Sequence, residues 1–335
     1  MDDDVSRPPQ YHPKLCKALH NAKHANNPVK YGMPPPISPL PLKNGVSASH
    51  IWLPAEPWPS LLAFLCHRFN QVSEQEWRQR LTAGEVRDQF GRVYGVHADY
   101  PANVCLFYYR VIDDEPAIPF NERIIYESEH LLVVDKPHFL PVTPSGRFLH
   151  ETVLTRLRHR FNNPSITPLH RLDRETAGLV LFSKQPETRS IYHRLFSERR
   201  IHKTYEAIAA TRLDLSYPLT HRSRLSEHPE YFFMTHEHDG KANSETTITL
   251  IKSAGALSRY RLEPVTGQKH QLRVHMASLG MPILNDTLYP EPLPQGRTEN
   301  MSQPLQLLAS SLAFFDPVDE KEHCFHSDLR LMDLA

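Results

Sequence analysis

The string His170-Arg171-Leu172-Asp173-Arg174-Glu175 runs, after Thr176-Ala177-Gly178, straight into the apolar residues Leu179-Val180-Leu181-Phe182. A short apolar run after a turn-forming glycine reads as a strand, so the charged residues sit at the strand's edge, where a cleft can open. Asp173 has an arginine two residues before it and another one residue after it. Nearby positive charge favours the ionised form of a carboxylate, which suits acid–base or nucleophilic work. Taken as a charge pattern alone, the same residues also describe a surface salt-bridge cluster.

The flanks of this segment are basic. From Arg147 to Lys203 the chain carries 12 Lys or Arg against 5 Asp or Glu, a surplus of +7, although the formal net charge of the whole chain is zero. Ten of those twelve cations are arginine, the side chain suited to bidentate phosphate contacts. Over 150–161, Val153, Leu154, Leu157 and Phe161 fall on one helical stripe and leave Arg156, Arg158 and Arg160 to point elsewhere. A second helix is expected from Pro186, burying Ile191, Leu195 and Phe196 and showing Arg189, Arg194, Arg199 and Arg200. Two helices are thus expected to offer basic faces around Asp173. Ahead of them, Ile124-Ile125-Tyr126 and Leu131-Leu132-Val133-Val134 read as a hairpin.

The remaining composition narrows the field. At 335 residues the chain can bury a core without disulfides or metal staples. Its four cysteines, Cys16, Cys66, Cys105 and Cys324, form no CxxC pair. His270 and His275 come nearest to a metal spacing, but they are five apart rather than the four that aligns two ligands on a helix face. No stretch reaches membrane-spanning length, and the acidic start Met1-Asp2-Asp3-Asp4 is unlike a secretory signal, so the expectation is a cytoplasmic protein with no membrane partner.

Residues 1–57, with Pro34-Pro35-Pro36 and the alternating Pro39 and Pro41, are expected to form an extended Pro-rich arm. Residues 58–118 follow as a small α+β module. It has a helical run through Leu61, Leu62, Phe64, Leu65 and Phe69, a second through Trp77 and Leu81, and a strand-rich end at Val104 to Tyr109. Its order of elements resembles the alpha-L RNA-binding module, with the second helix's cations reduced to Arg78 and Arg80; an ordinary packing domain is the other reading.

A set of blocks in the right order carries a wider resemblance. The string His170 to Leu179 is similar to the central RluA-family motif His-Arg-Leu-Asp-Arg-x-Thr-Ser-Gly-Leu, with Ala177 in place of Ser. Upstream, Leu132 to Pro137 resembles the family's hairpin ending in Lys-Pro. Downstream, Lys203-Thr204-Tyr205-Glu206-Ala207 resembles its Lys-x-Tyr-x-Ala strand, and Gly267 to His275 its Gly-Arg-Thr-His-Gln-Ile-Arg-Val-His segment. Pro282-Ile283-Leu284-Asn285-Asp286 is similar to its Pro-Ile-x-Gly-Asp. The resemblance to RluA-type pseudouridine synthases covers about residues 123–317, and residues 119–335 are expected to form the catalytic domain. The resemblance implies an α+β fold whose mixed, largely antiparallel central sheet is flanked by helices.

It also implies residues and partners. Asp173 matches the catalytic aspartate, Tyr205 the active-site tyrosine, and Arg273 the basic residue that pairs with the aspartate. Arg171 matches the arginine that fills the gap left by a flipped nucleotide. His170, Thr176, Lys203 and Gln271 are implied as further substrate-binding residues. The substrate would be a uridine in a ribosomal or transfer RNA stem-loop, with no metal, no small-molecule cofactor and a monomeric enzyme. Isomerising a uracil–ribose linkage changes no oxidation state, so a placed carboxylate suffices. Two rivals use the same residues: a glycosidase built on Asp173 and Glu175, and an RNA-binding or ribosome-assembly protein of the same fold without turnover. Gln268, Lys269 and Asn285 depart from the family strings, which bears on substrate choice.

Overall fold

The computed structural model describes residues 36–231, 233–292 and 300–334, and the chain divides into two compact units after Val111. The first unit holds strand β1 (Ser49–Trp52), helices α1 (Leu61–Arg68) and α2 (Glu74–Thr82), and strands β2 (Val86–Asp88) and β3 (Cys105–Tyr108). Ser60 and Ser73 start the two helices by accepting the N–H of Ala63 and Glu76, as N-cap serines do. Leu61, Leu65, Trp77, Leu81 and Leu106 then bury their side chains in one cluster.

Two boundaries differ from the sequence expectation. Of the arm expected over 1–57, residues 1–35 lie outside the described residues, while Ser49–Trp52 form β1 and pair antiparallel with β3. Leu40, Val46, Ile51 and Leu53 are buried, and the Tyr109 hydroxyl donates to the Pro41 carbonyl. The strand occupies the proline-free interval between Pro41 and Pro54, where every backbone N–H is present to pair with β3. At the other end, residues 112–118 belong to the second unit: Ile118 is buried in its core and donates its N–H to Glu151.

The second unit runs β4 (Arg123–Glu127), β5 (Leu131–Lys136), α3 (Val153–Phe161), β6 (Thr167–Pro168), β7 (Ala177–Ser183), α4 (Pro186–Ser197) and β8 (His202–Ala210). It continues with β9 (Leu219–Glu227), β10 (Thr235–His238), β11 (Ser244–Ala254), β12 (Leu257–Pro264), α5 (Gln271–Ser278), β13 (Leu307–Asp316) and β14 (Lys321–His326). One sheet carries all its strands in the order β10-β9-β11-β12-β8-β13-β7-β5-β4, with β14 on β13 and β6 on β7. Among the described strands only β13 and β7 run parallel, so the architecture is α+β with a mixed, largely antiparallel sheet flanked by helices.

The apolar runs of β5 and β7 lack alternation because both faces are covered. Leu132, Val134, Val180 and Phe182 pack with Val153 and Leu157 of α3, while Leu131, Val133, Leu179 and Leu181 pack with Tyr192 and Leu195 of α4. Helix α4 starts at Pro186 as expected, but its buried face is Tyr192 and Leu195, with Ile191 and Phe196 only partly covered. Gly178 fixes the seam between β7 and β13. Its φ is +110°, and a Cβ there would stand 2.3 Å from the Ala309 carbonyl oxygen, so only glycine permits this approach. Ala309 also pairs with Tyr205 of β8, which puts Gly178, Ala309 and Tyr205 in one cross-strand row.

Candidate active site

Asp173 lies in the loop that enters β7, and the Thr176 N–H closes a turn onto its carbonyl at 3.2 Å. The loop is supported from below by Lys136 at the end of β5, fully buried, whose ammonium donates to the carbonyls of Pro137 and Arg174. Burial brings this lysine down to about 7, against the opposing pull of Glu175 and Asp173. Beside the loop lies a cavity of about 460 Å³, within the usual size of a ligand site. All eight residues named from the sequence, Asp173, Tyr205, Arg273, His170, Arg171, Thr176, Lys203 and Gln271, line it.

Three cations or potential cations surround the Asp173 carboxylate, and none is within hydrogen-bond length. Arg273 Nη1 stands at 3.8 Å, His270 Nε2 at 3.9 Å and Arg171 Nη2 at 4.0 Å. The Asp173 side chain keeps 16% of its surface exposed, so it is partnered yet reachable. Arg273 is held differently from the expectation. Its Nε and Nη2 donate to both oxygens of Asp286 at 2.8 and 2.6 Å, a fork-to-fork geometry that fixes the guanidinium plane. Only Nη1 is left over, 3.6 Å from Glu175 and 3.8 Å from Asp173, buried and without a hydrogen bond. Helix α5 explains this placement. Its first two turns are buried on every side, with Leu272 and Met276 facing the hydrophobic cluster and Arg273 turned toward the site.

Tyr205 reaches the cavity from β8, anchored between Leu262 and Ala309. Burial, and then the Asp173 charge, push its phenol well above the usual tyrosine range, so the hydroxyl keeps its proton. Lys203, two residues earlier on the same strand, points its ammonium to the Thr266 carbonyl at 3.5 Å, and burial lowers its pKa. Arg171 is the open cation of the set, with 59% of its side chain exposed.

Two residues expected to bind substrate turn out to be committed within the protein. His170 Nε2 accepts the Leu181 N–H at 3.0 Å and its ring lies 4.9 Å from Phe196. Burial, with Lys203 nearby, brings it down to about 4, a neutral ring that fastens the loop to β7. The Gln271 amide has every polar atom engaged: its oxygen accepts from Thr266 and Gln268, and its nitrogen donates to the Glu245 carbonyl and Thr246. It shapes the 266–268 rim of the cavity rather than contacting what enters.

The basic helix faces are also reduced. Arg156 donates to the carbonyls of Phe120 and Ile118 and to Glu122 and Glu151, and Arg158 donates to the Ile166 carbonyl. Arg189 donates to the Ser165 carbonyl. In the first unit, Arg78 and Arg80 both pair with glutamates one turn earlier, Arg80 nearly buried and Arg78 at the surface. Cations of this segment that do face the cavity are Arg171, Arg199 and Lys203.

Residues that the resemblance had not assigned to the site complete it. His270 adopts a left-handed backbone (φ 55°) at the start of α5, which aims Nε2 at Asp173 while Nδ1 pairs with the Tyr289 hydroxyl at 2.8 Å. Asp286 takes the Leu288 and Tyr289 N–H groups besides Arg273. Both lay inside strings already matched, but nothing local marked their partners. Glu175 is pulled below the usual range: burial opposes this, but Arg174, Arg273 and Lys136 outweigh it. That leaves no acid of raised pKa beside Asp173, which the glycosidase reading requires. His275, paired with His270 by spacing, turns away to Thr246, Ser244 and Ser223.

Comparison with known proteins points to one family. Residues 130–278 match the RNA pseudouridylate synthase family model. The chain is 31% identical over 235 residues to an RNA pseudouridine synthase of Synechocystis, covering 68% of this chain and 79% of that protein. It is 32% identical over 219 residues to the dual-specificity RNA pseudouridine synthase RluA of Vibrio vulnificus, covering 63% and 83%. Among solved structures, human RNA pseudouridylate synthase domain containing 1 aligns with a TM-score of 0.51 at 26% identity, over 63% of this chain and 86% of that one. The chain belongs to the RluA-type family of RNA pseudouridine synthases, enzymes that isomerise uridine in RNA.

Proposed function

We propose that the cavity receives a uridine flipped out of a ribosomal or transfer RNA stem-loop, and that Asp173, Tyr205 and Arg273 carry its isomerisation as a monomeric, cytoplasmic, cofactor-free enzyme. The observation that supports this most is the Asp173 carboxylate, ringed by positive groups at 3.8–4.0 Å yet bonded to none, at the wall of a cavity large enough for a nucleoside. In the reaction the N1–C1′ bond of uridine breaks, a C5–C1′ bond forms, the proton on C5 leaves to water, and N1 takes up a proton. Attack on the base, attack on the sugar and removal of a sugar proton all need an ionised carboxylate beside the extruded nucleotide. Arg273, immobilised by Asp286, supplies Nη1 to hold that charge in place. The protonated Tyr205 phenol offers a ring for the uracil and a hydroxyl near the carbon that loses its proton. Unstacking the base costs a few kcal/mol, which phosphate contacts from Arg171 and Arg199 offset.

The test is release of tritium from RNA labelled at uracil C5, using in-vitro transcribed transfer and large-subunit ribosomal RNA. The wild-type protein, without added metal or nucleotide, should release tritium, and Asp173→Ala should abolish release while circular dichroism stays native. Full activity in Asp173→Ala would remove the assignment.

A further inference from the structure

The two ring nitrogens of His270 are used differently. Nδ1 lies 2.8 Å from the Tyr289 hydroxyl, while Nε2 faces the cavity, 3.9 Å from an Asp173 oxygen and beyond hydrogen-bond length. Tyr289 decides which nitrogen carries the proton. Its oxygen already accepts the Thr235 N–H at 2.8 Å, and burial pushes the phenol up to about 12, so it keeps its own proton. Among the described residues only His270 Nδ1 is in reach to take that proton, and leaving a buried O–H unpaired is costly. The hydroxyl therefore donates to Nδ1. Burial, helped by Arg273 and Lys269, lowers the His270 pKa against the pull of Asp173 and Glu175, so the ring is neutral and its single proton sits on Nε2. The cavity thus receives an N–H that no group of the protein takes up, beside the equally unspent Nη1 of Arg273.

We propose that His270 is a further catalytic residue, donating its Nε2–H to a carbonyl oxygen of the target uracil, and that Tyr289 is a positioning residue which fixes the tautomer able to do so. The proposal rests on the assignment of the cavity to the target uridine. Each route open to Asp173 places negative charge on the uracil, either on the ring freed when N1–C1′ breaks or on the enolate formed if the carboxylate adds to the base. That charge spreads onto the carbonyl oxygens, where a fixed donor stabilises it more than it stabilises the resting base. A neutral imidazole does this while keeping its proton throughout, and it leaves the Asp173 charge free for the bond exchange.

The experiment uses the full-length protein. Nitrogen-15 NMR of histidine-labelled protein, with the His270 signals assigned by their loss in His270→Gln, should show the wild-type ring protonated on Nε2. Tyr289→Phe, which keeps the ring beside Arg273 and removes only the hydroxyl, should show a mixture of tautomers. A wild-type ring protonated on Nδ1 would overturn the proposal. In tritium release from a stem-loop, His270→Leu should lower kcat about 100-fold with KM changed less than about threefold. His270→Gln, whose amide nitrogen reaches the place of Nε2, should recover about tenfold of that loss, and Tyr289→Phe should lower kcat about tenfold. Equal kcat for His270→Gln and His270→Leu, or wild-type kcat in His270→Leu, would overturn the donor. Finally, 2-thiouridine or 4-thiouridine at the target replaces one carbonyl oxygen by sulfur, a poorer acceptor. One of the two should slow the wild-type protein more than His270→Leu. Equal slowing of both proteins by each would confine His270 to steadying Asp173 and overturn the contact with uracil. A wild-type protein that releases no tritium from any RNA sinks the parent assignment instead, and is told apart because the tautomer is read without turnover.

Discussion

Arg156 and Arg171 stand in the same basic segment and carry the same charge, yet they do opposite things. Arg156 spends its guanidinium on two carbonyls and two glutamates inside the fold, whereas Arg171 leaves 59% of its side chain in solvent beside Asp173. Arg273 lies between them, with two nitrogens given to Asp286 and one kept for the site. A surplus of cations along a chain is thus not a measure of RNA-binding surface. What counts is how many donors remain after internal acceptors have taken theirs.

The contrast can be sharpened by removing each partner in turn. Asp286→Ala should have the largest effect, because it leaves Arg273 buried without the carboxylate that takes two of its nitrogens; a loss of about 3–5 kcal/mol is expected by urea denaturation, with turnover falling in step. If Asp286→Ala left both stability and activity intact, Arg273 would have to be placed by something else. Arg156→Met should cost about 3 kcal/mol of stability through its lost charged hydrogen bonds, with the salt dependence of RNA binding unchanged. A changed salt slope with wild-type stability would put Arg156 on the RNA after all.

Neutral histidines extend the comparison to protons. His275 is fully buried and brought down to about 4 by burial and the nearby His221, with Glu237 pulling the other way. The unfolded chain binds a proton near pH 6.5 that the folded chain refuses, so its contribution is complete above 6.5 and declines as pH falls toward 4. Between pH 7 and pH 5 the loss from this ring should be about 2 kcal/mol, and His170, lowered the same way, adds in the same direction. A urea midpoint that did not move over this range would contradict the neutral assignment. The smallest effect belongs to the open cation: Arg171→Ala should raise KM about tenfold, reduce the salt slope by about one, and change stability by less than about 0.5 kcal/mol.

These cases also show what could be seen in the sequence. The motif strings put all eight named residues around one cavity, and the apolar stripes placed α3 and α4. Partners could not be seen. Glu122 lies 34 residues from Arg156, and the Leu181 N–H that His170 accepts and the Glu245 carbonyl to which Gln271 donates are backbone groups of other elements, which no local pattern marks. The β1 strand was hidden because it lies in a short proline-free gap between Pro41 and Pro54, inside a stretch whose prolines suggest an unpaired extended chain. His270 needed a left-handed backbone to face Asp173, and a histidine carries no visible sign of that.

The Gly178 contact has a mechanical result. Since the backbones of β7 and β13 meet there with no side chain between them, and Ala309 hands the same row on to Tyr205, the loop bearing the carboxylate and the strand bearing the phenol are gauged by main-chain atoms alone. The spacing of the two reacting groups is consequently as stiff as a peptide ladder. A single methyl added at residue 178 would act as a shim, prising the two halves of the reaction centre apart without altering any group that touches RNA.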